Sequence, residues 1–241
     1  MRALALPAFL EKFYNAGVWS DFDHMVDGDA FNILDADSGA TVAHDADYVG
    51  GGVVLTTGTT DNNECALFSN ELFKFIADRP ILFGARASWA EANTDDLNIA
   101  IGLMDGVAAN AMLDNGAGMK ASFSGAVIYK KDGDTLWSVR SSIGSTYTDT
   151  ETQHASNGGG NQTFAIQVMP KTSTEVDVVF WHDGQGGSNL QPMLDSRGNV
   201  IKHTVTLGSP TEMAAAVYAK CGSTSSEVIT VDFLGADQVR F

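Results

Sequence analysis

Ile81-Leu-Phe-Gly-Ala-Arg-Ala-Ser-Trp89 is the stretch whose reading decides the fold. Ile81, Phe83, Ala85, Ala87 and Trp89 fall on one face, while Arg86 and Ser88 fall on the other. That period of two is what a strand buried on one side requires. Leu97 to Leu103 repeats it, with Leu97, Ile99, Ile101 and Leu103 alternating with Asn98, Ala100 and Gly102. The small alternate residues leave room for a further layer, or a ligand, to approach the opposite face closely.

Outward from these two segments the same texture continues. Gly52–Thr57 and Cys65–Ser69 read as short strands separated by Thr60-Asp61-Asn62-Asn63, and Glu71–Ala77 as one helical turn or a loop closed by Asp78-Arg79-Pro80. Phe123–Lys130 and Leu136–Ser142 flank Asp132-Gly133, a strong hairpin signal. Thr163–Met169, Glu175–Trp181, His203–Leu207, Met213–Lys220 and Val228–Leu234 complete the set, with Val239–Phe241 as a last short strand. Ser156–Gly160 and Asp183–Gly198 read as long exposed loops. About ten to twelve strands with closely spaced turns and no long helix predict an all-β, two-sheet antiparallel β-sandwich. The spacing divides the chain into residues 1–45, an irregular N-terminal arm, and 46–241, the sandwich. The arm opens with an apolar stretch, Met1–Leu10, read as retained rather than as a cleaved signal, and Ala8–Tyr14 is expected to form a short helix.

The chain has 241 residues, 30 acidic and 14 basic, a formal net charge of −16. Nucleic-acid affinity comes from cations displacing counterions, so nucleic acid is excluded as an expected partner. No apolar run reaches the roughly 18–20 residues a spanning helix needs, so no membrane association is expected. Cys65 and Cys221 sit in apolar surroundings and read as small buried hydrophobes; the sequence leaves open whether they pair.

Catalytic and metal signatures are weak. His24, His44, His154, His182 and His203 form no closely spaced pair, and read as solvated loop or strand residues. There is no Gly-x-Ser-x-Gly elbow and no phosphate loop before a helix. Glycoside hydrolysis needs two carboxylates flanking the scissile bond. Glu175-Val-Asp177 begins a suitable strand pattern, but Phe180 stands where the second glutamate belongs. Glu175 and Asp177 therefore read as solvent-side residues, and the chain as a non-enzyme with no catalytic residue and no cofactor. Asp95, Asp96, Asp105 and Asp114, and separately Asp35 with Asp37, raise calcium as a lesser reading, although none follows the loop pattern of a dedicated calcium site. Trp19, Trp89, Trp137 and Trp181 are assigned mostly to the core.

Residues of about 51–240 resemble tailed-phage head decoration (cement) proteins with a concanavalin- or laminin-G-like jelly roll. The resembling stretches are Glu71–Phe75, Arg79–Arg86, Glu91–Gly106, Ser124–Lys130, Phe180–Gly184 and Ile229–Phe233. The resemblance implies a structural virion protein on the capsid exterior, made in the host cytoplasm, that binds the major capsid protein and itself as a homo-oligomer. It carries no catalytic motif to transfer. The alternative, from the fold type and the long loops, is a carbohydrate-binding module of a phage surface or fibre protein.

Overall fold

In the computed structural model, which describes residues 15–22, 30–45, 47–91, 95–184 and 189–239, sixteen strands form two antiparallel sheets. One sheet has seven strands in the order β10 (Thr146–Ala155), β9 (Leu136–Ile143), β8 (Gly125–Lys130), β7 (Leu97–Met104), β15 (Ala214–Cys221), β5 (Glu64–Ser69) and β2 (Phe31–Asp35). The other has nine. Its main path runs β13 (Gln191–Pro192), β12 (Glu175–His182), β11 (Gln162–Thr172), β6 (Ile81–Ala90), β16 (Val228–Val239), β4 (Val53–Thr56) and β3 (Thr41–His44). β1 (Asn15–Ser20) extends β16 beyond β4, and β14 (Lys202–Thr206) lies beside β12.

The alternating residues do what their period requires. Ile81, Phe83, Ala85, Ala87 and Trp89 of β6 face Leu97, Ile99, Ile101 and Leu103 of β7 through the main core, completed by Phe164, Phe180 and Trp137. Trp137 packs edge-on against Trp89 and Phe164, with ring centroids 5.4 and 5.1 Å apart. The opposite face of the seven-stranded sheet is also dry. Ala66, Ala100, Ala216, Val127 and Tyr218 meet Met112, Met119 and Phe123 of the long β7–β8 connection in a second cluster. Small residues at 66, 100 and 216 thus admit a third layer of the chain itself, whereas Gly102 allows close approach of β8 and Ile166. On the outer face of the nine-stranded sheet, Gly84 and Gly235 are cross-strand partners beneath Trp19. A Cβ at Gly235 would lie 2.5 Å from the indole, so glycine there lets Trp19 lie close while remaining 37% exposed.

Several expectations are corrected. Residues 31–44, within the expected arm, supply β2 and β3, and β1 precedes them. The helix expected over Ala8–Tyr14 lies outside the described residues, as do His24 and residues 185–188 of the expected long loop. Glu71–Ala77 is a loop held by bridges of Phe73 to Met213 and Ile76 to Arg79. Residues 156–160 form the expected loop, exposed at Asn157, Gly159 and Gly160, but anchored by buried Ser156 and by Gly158 packing on Trp89. Val239, expected to open a last short strand, is instead the end of a continuous β16, and residues 240–241 lie outside the described residues. Cys65 and Cys221 are both buried, as expected, and they are unpaired.

His182 and His203 are buried, 2% and 4% exposed, against the expectation of solvated histidines. Burial lowers both side chains to a pKa of about 4, helped at His182 by neighbouring His154 and opposed at His203 by Asp149. In the unfolded chain each titrates near 6.5. Above that value both states hold them neutral and nothing is lost. As pH falls from about 6.5 to about 4 the unfolded chain takes up protons that the folded chain refuses, so stability drops by roughly 2–4 kcal/mol per histidine. Urea midpoints measured between pH 7.5 and 4 are expected to fall steeply, and His203→Gln to flatten that slope. An unchanged slope in the variant would remove His203 from the account.

Candidate functional site

At one end of the sandwich the two sheets part to form a cleft of about 760 Å³. Four separate stretches of chain build it. The β9–β10 hairpin contributes Ser141 and residues 143–148, turning at Gly144 with φ +59°. β14 and the residues after it contribute 204–206, 208, 209 and 211. The β7–β8 connection contributes Asp105 at its start and 122–124 at its end.

Its lining is dominated by hydroxyls, with ten serines and threonines around one carboxylate, Asp105, and one exposed aromatic ring, Tyr147. Asp105 is the hub. Its backbone N–H donates to the Ser124 carbonyl at 2.9 Å, and Oδ1 accepts the Ser124 N–H at 2.9 Å, which pins the two ends of the β7–β8 connection together. Oδ2 accepts the hydroxyl of Thr211 from the opposite wall. Phe123 N–H donates to the Gly144 carbonyl at 3.1 Å, tying the connection to the hairpin. At the floor, Ser141 Oγ lies 2.9 Å from His203 Nδ1, and Thr150 Oγ1 lies 3.0 Å from His203 Nε2, so one imidazole joins the two sheets.

The aromatic wall rests on Arg140. Tyr147 is 49% exposed, and the Arg140 guanidinium carbon lies 4.2 Å from its ring centroid, a cation–π contact. Arg140, 7% exposed, also grips Asp149, its direct cross-strand partner, with Nε to Oδ1 at 2.7 Å and a second bond from Nη2. Its remaining Nη1 donates to the carbonyls of Met119 and Lys120 in the β7–β8 connection, at 3.2 and 3.1 Å. The far side of that connection is held by Lys220, whose Nζ reaches Asn110 Oδ1 at 2.9 Å, the Met112 carbonyl at 3.0 Å and Asp114. Glu64 accepts from the Asn110 N–H and from Tyr218, and burial pushes its carboxyl above the usual range.

The acidic residues suspected as calcium ligands are dispersed. Asp105 lines the cleft, Asp114 pairs with Lys220, and Asp37 accepts the Glu64 N–H at 3.0 Å. Among the described residues no three metal-binding side chains converge. Asp177 is paired with Lys202 at 3.1 Å and bonded to Thr204 at 2.7 Å; despite some desolvation, these partners hold its carboxyl below the usual range. Trp89 and Trp137 are in the core. The cleft itself was not anticipated, because isolated serines and threonines carry no pattern along the chain. The Thr146-Tyr-Thr-Asp-Thr150 alternation is the one signal that could have marked its wall.

No family model and no curated protein sequence matches the chain. Solved structures do match. The endo-β-1,4-glucuronan lyase of the fungus Trichoderma reesei has a TM-score of 0.59 at 11% identity, covering 91% of this chain and 94% of that one. A legume lectin-like domain from Entamoeba histolytica has a TM-score of 0.52 at 9% identity, covering 86% and 89%. The exoplasmic/lumenal domain of VIP36, in its Ca²⁺/Man2-bound form, has a TM-score of 0.52 at 9% identity, covering 93% and 87%. What is shared is the fold. It is a legume-lectin-like jelly-roll sandwich, as the all-β expectation required.

The lyase overturns one expectation. The non-enzyme expectation rests on the incomplete carboxylate pair of glycoside hydrolysis. A lyase breaks its bond by elimination and needs no such pair, so the missing second glutamate excludes one mechanism and not catalysis on this sandwich. The non-enzyme reading is withdrawn.

Because Arg140 seats both Tyr147 and the β7–β8 connection, its replacement is expected to loosen both. Arg140→Met should lower stability by about 1–3 kcal/mol in urea titrations. It should also speed proteolytic cleavage within residues 105–124. Wild-type cleavage rates would show that the connection stands without the guanidinium.

Proposed function

We propose that the chain is a glycan-recognising β-sandwich that holds a saccharide in the cleft at the β9–β10 end. The observation that carries this reading is the lining, in which ten hydroxyl side chains surround one carboxylate and one exposed tyrosine ring. A saccharide offers hydroxyls that both donate and accept, and sugar-ring faces that are apolar. Serine and threonine hydroxyls donate and accept in turn, a carboxylate accepts only, and an aromatic ring supplies an apolar surface with a polar edge. The cavity volume lies within the range of small-molecule sites.

Kinship of fold adds support: a mannose-bound domain, a lectin-like domain and a polysaccharide lyase share the architecture. The capsid-decoration role, with the major capsid protein and a second copy of the chain as partners and the capsid exterior as location, rests on the sequence resemblance alone. Glycan recognition is the stronger conclusion because it also has a site.

Tyr147→Ala removes the aromatic wall at a half-exposed position, so the fold should lose less than about 1 kcal/mol. Saccharide affinity, measured by calorimetry on hits from a glycan array, should fall about tenfold or more, equivalent to 1.4 kcal/mol. A variant that binds the same glycans with unchanged affinity would place the binding site elsewhere.

A further inference from the structure

The cleft's lining carries a single charged side chain, and it is negative. Nearby cations are turned to other tasks. Arg140 is engaged by Asp149 and by two backbone carbonyls. Lys171 and Lys202, behind Thr204, both face Asp177, at 3.8 and 3.1 Å. Lys120 points its ammonium at the carbonyls of Gly106 and Asp105, at 3.2 and 3.5 Å, and is not part of the lining. The chain as a whole carries −16, which disfavours the long-range approach of anions at low salt.

Asp105 completes the case. Each of its oxygens already accepts one bond, from Ser124 N–H and from Thr211, and each oxygen of an ionised carboxylate can accept two. The unused acceptor positions call for a donor, and a saccharide hydroxyl is one. A carboxylate or sulfate group of the ligand has no proton to give at neutral pH, and would bring like charge to like charge where the lining itself supplies no cation to take it.

Resting on the glycan reading above, we infer that this cleft selects uncharged saccharides over acidic ones, with Asp105 as the discriminating residue. This separates the chain from its fold neighbour that acts on glucuronan, a uronic-acid polymer. Shared architecture here carries an opposite preference for ligand charge.

The test is calorimetric titration of the full chain at pH 7 with two β-1,4-linked oligosaccharides of equal length. One is built of glucose and one of glucuronic acid, and mannobiose serves as a second neutral probe. At least one neutral probe should bind about tenfold or more tightly than the glucuronic-acid oligomer. Its affinity should stay within about twofold between low and high salt, as screening affects charge pairs. Asp105→Asn, which keeps one acceptor oxygen, should shrink the neutral-to-acidic ratio about tenfold. Ser145→Lys, on the exposed hairpin turn, provides a variant free of folding cost and should raise affinity for the acidic oligomer at low salt only. Acidic binding equal to or tighter than neutral, or ratios unmoved by both variants, would overturn the inference while leaving glycan recognition standing. Absence of binding to all three probes and across a broad array would instead remove the glycan reading on which it rests.

Discussion

Arg140 is the constraint on which the cleft depends. A guanidinium buried to this degree is stable only when its donors are matched, since an unpaired buried charge costs far more than a good pair returns. Here the fork meets Asp149 on the adjacent strand, while the third nitrogen takes two carbonyls of the β7–β8 connection and the Tyr147 ring covers the plane. Lysine could not reproduce this, because a point charge lacks both the fork and the flat face. One residue therefore fixes the edge strand, the overlying segment and the aromatic wall relative to each other.

The reason such a device is needed lies in β10. Its solvent-facing residues are threonines, a tyrosine and carboxylates, and it is largely exposed along its length. An edge strand without an apolar stripe gains little from burial, and must be held by its backbone ladder and by cross-strand pairs. Arg140 and Asp149 are direct partners in that ladder. The charges and hydroxyls also guard the edge against pairing with another chain. The wall of the cleft is thus assembled from residues that the strand already requires in order to stand at an edge.

Legibility followed burial. β6 and β7 could be read from Ile81–Trp89 and Leu97–Leu103 because a strand facing a core must alternate, and Asp132-Gly133 marked its turn correctly. β10 was missed because its alternation is between threonine and other polar residues, which hydrophobic period does not register. β2 and β3 were absorbed into a lead-in because acidic turns dominate the composition around them. His182 and His203 looked solvated because sequence shows a titratable ring but not the dry space between sheets that receives it. The cleft was illegible for a stronger reason. Asp105, Ser124, Tyr147 and Thr211 span a hundred residues and meet only through sheet topology, and no local pattern encodes that meeting. One missing carboxylate spacing bears on one mechanism and leaves other chemistry on the sandwich open.

The floor of the cleft shows how rigidity and solvent exposure coexist there. His203 is neutral in its buried setting, and hydroxyls of Ser141 and Thr150 face its two ring nitrogens. A hydroxyl can donate or accept, so either imidazole tautomer is satisfied without moving a side chain. Protonation would still leave two acceptors for the two N–H groups. The penalty is therefore the desolvation of the cation and not a lost hydrogen bond, which is why burial dominates the shift. Ser141 belongs to the seven-stranded sheet and His203 to the nine-stranded one, so this neutral contact bridges the two sheets at the floor. A charged pair there would have tied selectivity to its own field. A hydroxyl–imidazole–hydroxyl bridge holds the walls apart while leaving Asp105 as the only charge that a ligand in the cleft would meet.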